Sequence, residues 1–363
     1  MVTTTRIFNF SAGPAVLAVP VLEEAQRDLL ALPGLGMSVM EASHRSKAFE
    51  GILAAAIADI RALAGVPDGY RVLMLQGGAS LQFSMLPMNL LTGGATADYV
   101  DTGPWSSKAI NAAVRVGAVN VAASTKGDGY TRIPVQAELQ LTAGAAYAHV
   151  TSNNTIVGTQ WKALPDVGDA PLVCDASSDI FSRPVDVSRF GVLYAGAQKN
   201  LGPSGVTLVI IREDLLERSA GTLPSMLSYK VHADANSLYN TPNTFGIYLL
   251  GLTVKWLRAQ GGLEAVAALN ARKAAALYAE IDRTGFYRGT ANPGDRSLMN
   301  VTFRLSNEDL EATFVTEATA AGLDGLKGHR SVGGMRASIY NAFPESGVAA
   351  LVDFMREFER TRG

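Results

Sequence analysis

A length of 363 residues exceeds what one hydrophobic core normally organises, so two domains, or one large α/β domain with an appendage, are expected. Hydrophobic residues at 48% and charged residues at 18% exclude a disordered chain, while a net charge of −2 without a long basic block excludes nucleic acid or an anionic membrane as the main partner and favours a small molecule. One cysteine, Cys174, excludes an internal disulfide; with no apolar signal core over residues 1–8 and no run of transmembrane length, the cytoplasm is the expected compartment.

In chain order, Phe8-Asn9-Phe10-Ser11-Ala12-Gly13-Pro14 reads as extended. Short β-rich runs at 72–75, 97–100, 118–122, 147–150, 172–174, 192–195 and 206–211 then alternate with helix-like segments, the pattern of a mainly parallel sheet covered by helices. Only 198–205 separates the last two runs, too short for a helical crossover, so the final strand is expected to be antiparallel. A helical tract through Leu249, Leu252, Trp256 and Leu257 and then 263–281 leads into a smaller α/β domain, with strands near 299–305 and 336–340 and a closing helix over 347–360. The expected division is a large α/β domain over 17–258 and a small one over 259–363, with residues 1–16 packing on the latter.

Lys199 ends an apolar run and is wrapped in small residues, Gly196-Ala197-Gln198-Lys199-Asn200-Leu201-Gly202. Partial desolvation there lowers the pKa of the amine and suits imine chemistry with an aldehyde, for which pyridoxal phosphate is the obvious partner. Asp175 closes the run at 172–174 and suits the pyridinium nitrogen that makes this cofactor an electron sink. Gln76-Gly77-Gly78-Ala79-Ser80 follows the first strand and opens a helical segment at 81–91 with Ser80 as its cap, an arrangement that presents free N–H groups to a phosphate. Neither a GxxxxGK[ST] nor a GxGxxG element is present, so nucleoside triphosphates and dinucleotides lack their usual signature. His44-Arg45 and His329-Arg330 each set a guanidinium fork beside a group that titrates near neutrality, and Arg336 stands at a strand start; together they suggest a dianionic substrate with a further carboxylate. No residue set points to a metal.

These residues, with Pro87-Met88-Asn89, Thr102-Gly103-Pro104-Trp105-Ser106, His149-Val150-Thr151-Ser152-Asn153-Asn154-Thr155 and Met335-Arg336-Ala337-Ser338, resemble the phosphoserine aminotransferase family over nearly the full chain. The resemblance implies a fold-type I pyridoxal-phosphate-dependent transferase, α/β in class, with a seven-stranded sheet containing one antiparallel strand. It implies that Lys199 holds the cofactor and shuttles a proton, that Asp175 pairs with the ring nitrogen and that Trp105 stacks on the ring. Ala79 and Ser80 contact the phosphate, although some relatives carry arginine at the position of Ser80, and Thr155 and Gln198 complete the contacts. Asn240 and Thr241 reach the cofactor of the partner subunit in a homodimer. Arg336 clamps the α-carboxylate, while His44, Arg45, His329 and Arg330 surround the distal anion. The implied reaction moves an amino group from L-glutamate to 3-phosphohydroxypyruvate with ping-pong kinetics, and a related substrate of vitamin B6 synthesis is chemically similar. A class V aminotransferase of the serine or alanine-glyoxylate type, which needs only part of this set, and a non-catalytic cofactor-binding homologue are the competing expectations.

Overall fold

A seven-stranded sheet organises the computed structural model, which describes residues 6–219 and 221–363. Its strands are β1 (Tyr70–Leu75), β2 (Thr96–Asp101), β3 (Ala118–Ser124), β4 (Ala148–Thr151), β5 (Leu172–Asp175), β6 (Phe190–Gly196) and β7 (Thr207–Arg212), in the spatial order β1-β7-β6-β5-β4-β2-β3. From β6 to β3 every neighbouring pair is parallel. β7 runs antiparallel to both β6 and β1, as the short connection after β6 requires.

Side chains alternate between two helical layers. Val72, Met74, Val100, Val150, Cys174 and Leu193 face a core closed by Phe49, Leu53 and Ile60 of α1 (Lys47–Ala64). Their sequence neighbours Leu73, Leu75, Tyr99, Val173, Val192 and Tyr194 face Phe83 and Leu86 of α2 (Gly78–Leu90) and Ala109 of α3 (Pro104–Ala113). Burial on both faces explains why β5 up to Asp175 and β6 are apolar runs without a polar alternation, and why the polar His149 and Thr151 of β4 are buried too. β3 lies at the edge of the sheet, and its pattern is correspondingly more exposed.

Further along, α4 (Thr244–Ala259) packs against α1, and α5 (Gly262–Ile281) leads to an antiparallel sheet of β8 (Tyr287–Gly289), β9 (Asn300–Leu305) and β10 (Met335–Ser338), followed by α6 (Glu345–Arg362). Phe303 and Met335 pack there with Leu277, Leu351 and Met355 in a separate apolar cluster. Phe8–Asn9 adds in parallel to Leu323–Asp324, and Phe10 lies in the same cluster. β8 is absent from the sequence expectation because Tyr-Arg-Gly carries no β-branched run. The helix expected at 81–91 starts at Gly78, since Gly77 (φ 87°) and Gly78 (φ 63°) take left-handed conformations that turn the chain into α2 early. Ser80 is therefore a first-turn residue and not the cap. Among the described residues, no helix is long and apolar enough to cross a membrane.

Candidate active site

The carboxyl edge of the parallel strands gathers the chemistry, as open α/β sheets commonly do. Asp175 is the last residue of β5, Thr155 follows β4 by four residues, and Lys199 stands three residues past β6 in the turn toward β7. That turn is tied by Ala197 N–H to Val206 O (2.9 Å) and Gly202 N–H to Ala197 O (2.8 Å). Lys199 Nζ donates to Thr155 Oγ1 at 2.8 Å. A Cβ on Gly13 would approach Lys199 Cγ to 3.3 Å, so this glycine lets the N-terminal segment lie along the lysine stem. Gln198 O accepts from Ala15 N–H at 2.9 Å, which fixes that segment beside the lysine.

Burial pushes the Lys199 ammonium down to about 8; Asp175 opposes the shift, while Arg336 and Lys108 add to it. Asp175 Oδ1 accepts from Ser177 N–H (3.0 Å) and Ser177 Oγ (2.6 Å), and that hydroxyl accepts from Gly196 N–H (3.0 Å). A chain of hydrogen bonds thus runs from the carboxylate to the strand that leads to the lysine. No donor within the described residues reaches Oδ2, which stays free for a ligand.

Trp105 stands at the start of α3, which Ser106 and Asp101 hold in place. Ser106 Oγ accepts from Thr102 N–H and Gly103 N–H at 2.9 Å and donates to Asp101 Oδ1 at 3.0 Å. Lys199 Nζ lies 4.9 Å and Lys108 Nζ 4.2 Å from the centroid of the indole ring, and Phe83 of α2 lies 6.4 Å from it. Trp105 Nε1 is buried without a partner. In α2 the first intrahelical bond is Leu81 N–H to Gly77 O, so the N–H groups of Gly78, Ala79 and Ser80 precede it and point from the helix start. An amine, a free carboxylate oxygen, an aromatic face with an unpartnered N–H and an open helix start together match the demands of pyridoxal phosphate.

Arg336, in β10 opposite Thr302, is half-buried, and its Nε is buried without an acceptor. Burial lowers its pKa. It lines a cavity of about 180 Å³ with Tyr130, Val157, Thr302, Gly328 and Gly333. His329 lies within electrostatic reach: burial first, then Arg336, Arg330 and Lys108, push its imidazole below the ordinary value. Ser331 N–H donates to His329 Nδ1 at 3.2 Å, so the neutral ring carries its proton on Nε2. Lys199, Asp175, Thr155, Trp105, Arg336 and His329 are therefore gathered within one chain.

His44 and Arg45 are not gathered with them. They contact each other (Arg45 Nε to His44 Nε2, 3.4 Å) at the entry to α1, and among the described residues no hydrogen bond joins either to Lys199, Arg336 or His329. Asn240 lines a small pocket with Gln76, and Thr241 O accepts from Gln76 Nε2 at 3.1 Å, beside the start of α2 in their own chain. Sequence reasoning missed Lys108, a surface-type helix lysine, and Asn200, whose Oδ1 accepts from Asn341 N–H at 2.9 Å and joins the lysine turn to the segment after β10. Neither carries a motif. A larger cavity of about 320 Å³, lined by Cys174, Asp179, Arg183 and Phe190, does not include Lys199. Burial pushes the Cys174 thiol well up, and Cys174 is fully buried, which removes the mobile nucleophile that a cysteine desulfurase requires.

A family model described as Aminotransferase class-V matches residues 7–351. The phosphoserine aminotransferase of Desulfosudis oleivorans is 57% identical over 360 residues, covering 99% of each chain. The solved phosphoserine aminotransferase of Bacillus circulans subsp. alkalophilus superposes with a TM-score of 0.98 at 53% identity, covering 99% of this chain and 100% of that one. The PLP-bound phosphoserine aminotransferase of Trichomonas vaginalis gives 0.92 at 38% identity, covering 97% and 100%. Fold and site define a class V aminotransferase of fold-type I. Within that class, the chain belongs to the phosphoserine aminotransferase family.

Proposed function

We propose that the chain transfers the amino group of L-glutamate to 3-phosphohydroxypyruvate, giving O-phosphoserine and 2-oxoglutarate. The observation that carries this reading is the cationic surround of Lys199: Arg336, with its buried Nε unpartnered, and His329 beside Arg330 and Lys108 call for an anion-rich ligand. Pyridoxal phosphate, once bound, supplies an aldehyde that captures amines and a ring that delocalises charge from the substrate Cα. Lys199 holds it and moves the proton at Nζ. Asp175 Oδ2 serves the ring nitrogen, Trp105 the ring face, and the N–H groups of Gly78, Ala79 and Ser80 the phosphate, with Thr155 and Gln198 beside them. Arg336 orients the α-carboxylate. His329 Nε2–H and Arg330 serve the distal phosphate.

We read the active form as a cytoplasmic homodimer in which Asn240 and Thr241, and also His44 and Arg45, serve the neighbouring subunit. Exposed Leu30, Met37 and Met40 beside the His44-Arg45 turn support a covered surface there. A large domain over 17–258 and a small one over 259–363 accord with two largely separate apolar clusters, although Leu263 and Val266 at the start of α5 pack with the large-domain core. The test is spectroscopic. Glutamate should bleach the visible band of the loaded enzyme, and 3-phosphohydroxypyruvate should restore it far more efficiently than pyruvate; equal efficiency would favour an alanine-glyoxylate type of aminotransferase.

A further inference from the structure

One cation of the set around Lys199 has no ligand contact assigned to it in the reading above. Lys108 lies one turn after Trp105 on α3, is exposed, and sets Nζ over the same indole ring that Lys199 Nζ approaches. Of the other exposed lysines among the described residues, Lys230 pairs with Glu217 (2.6 Å) and Lys255 with Glu24 (2.8 Å), whereas Lys47, Lys126, Lys162 and Lys327 pair with no carboxylate. Among the described residues Lys108 has none, and the groups that feel its charge include Lys199 and His329.

Such crowding of like charge is unfavourable until an anion arrives. A cation–π contact on a half-exposed indole is weak beside a charge-assisted hydrogen bond to a phosphate oxygen. The exposed four-carbon stem lets the ammonium swing away from the ring, and it must do so wherever a ligand covers that face of Trp105. Arg336 is oriented by β10 and suits a carboxylate, whereas Lys108 approaches from α3, close enough to affect His329.

Building on the phosphorylated-substrate reading, we infer that Lys108 is a specificity residue of this site, its ammonium donating to the substrate's phosphate alongside His329 and Arg330. A dianion with three acceptor oxygens gains more from this extra donor than the single charge of a distal carboxylate does.

The test uses loaded enzyme, with Lys108→Met, Lys108→Arg and Arg330→Leu compared with wild type. Inorganic phosphate is titrated calorimetrically, and kcat and KM are measured for glutamate and for the phosphorylated oxo acid. Lys108→Met should weaken inorganic phosphate by about tenfold and raise KM for the phosphorylated oxo acid roughly ten- to thirtyfold, with a loss of about threefold or less for glutamate. Lys108→Arg should recover most of the loss. Equal losses on both substrates, or unchanged phosphate affinity while Arg330→Leu loses it, would overturn the role of Lys108 and leave the substrate reading standing. Unchanged phosphate affinity in Arg330→Leu as well would overturn both.

Discussion

Lys199 and Lys273 are both lysines withdrawn from water, and burial pushes their ammonium groups down to about 8 and about 7. Lys273, on α5, is 1% exposed and donates to three backbone carbonyls: Ile339 O (3.0 Å), Tyr340 O (2.7 Å) and Phe343 O (3.1 Å). Lys199 is half-buried and has one protein acceptor, Thr155 Oγ1, with Asp175 and the indole of Trp105 nearby. The number of acceptors separates the two roles better than burial does. Three carbonyls use every N–H of Lys273 and make it a cross-link between α5 and the segment after β10, while Lys199 keeps capacity for a ligand.

Exchanging either lysine should expose that difference. Lys199→Ala should lower turnover by about 10⁴-fold or more, because it removes the tether and the proton carrier together, and leave the unfolding midpoint near wild type. Steady-state assays beside urea melts check both halves; a collapsed midpoint would assign Lys199 a structural role instead. Lys273→Met should do the reverse. It strands buried carbonyls, destabilises the fold by roughly 2–4 kcal/mol, and leaves the activity of the folded fraction largely intact.

Arg330→Leu should cost roughly 1.5–3 kcal/mol in kcat/KM for the phosphorylated oxo acid, about one to two decades, and less for glutamate. Smaller effects follow from pH. Both lysines titrate below their ordinary 10.5 in the folded chain, so between the two values the unfolded chain binds more protons and stability rises with pH. The charging penalty is complete below about 7 for Lys273 and fades toward 10.5. The stability gap between wild type and Lys273→Met, read from urea midpoints, should therefore widen on going from neutral pH to about pH 9.5. His329 starts below its ordinary value, and a phosphate dianion pulls it upward, so binding of the phosphorylated substrate should take up protons and tighten as pH falls. Calorimetry in buffers of different ionisation enthalpy reads that uptake directly.

The strands of the central sheet, the antiparallel last strand and the positions of Lys199 and Asp175 are legible in the sequence, because strands buried on both faces leave uninterrupted apolar runs that end where the chemistry begins. Arg336 and His329 were legible as cations too numerous for one carboxylate. Lys273 was not, since a lysine in the Ala-rich stretch of α5 has the spacing of a surface residue, and its acceptors come from 66 to 70 positions away. Asn200 and Asn341 escaped for the same reason, each acting through a partner distant in sequence, whereas Lys108, one turn after Trp105, escaped because it has the spacing of a surface helix lysine. The helix start at Gly78 was misplaced because Ser80 offers a capping side chain, whereas two consecutive left-handed glycines decided the boundary.

The amide link between Asn200 and Asn341 bears on how such chains can be recombined. Asn200 Nδ2 also donates to Ile180 O at 2.7 Å, and Asn341 Nδ2 to Phe181 O at 2.9 Å, while Asn270 of α5 donates to Asn341 Oδ1 at 2.8 Å. Four segments therefore meet in one buried amide knot, in which Asn270 Oδ1 has no partner among the described residues, and removing a member leaves its neighbours' buried polar groups unpaired. A hybrid enzyme spliced between two parents within α4 inherits Asn200 from one and both Asn270 and Asn341 from the other, so the compatibility of this knot sets which parents can be crossed.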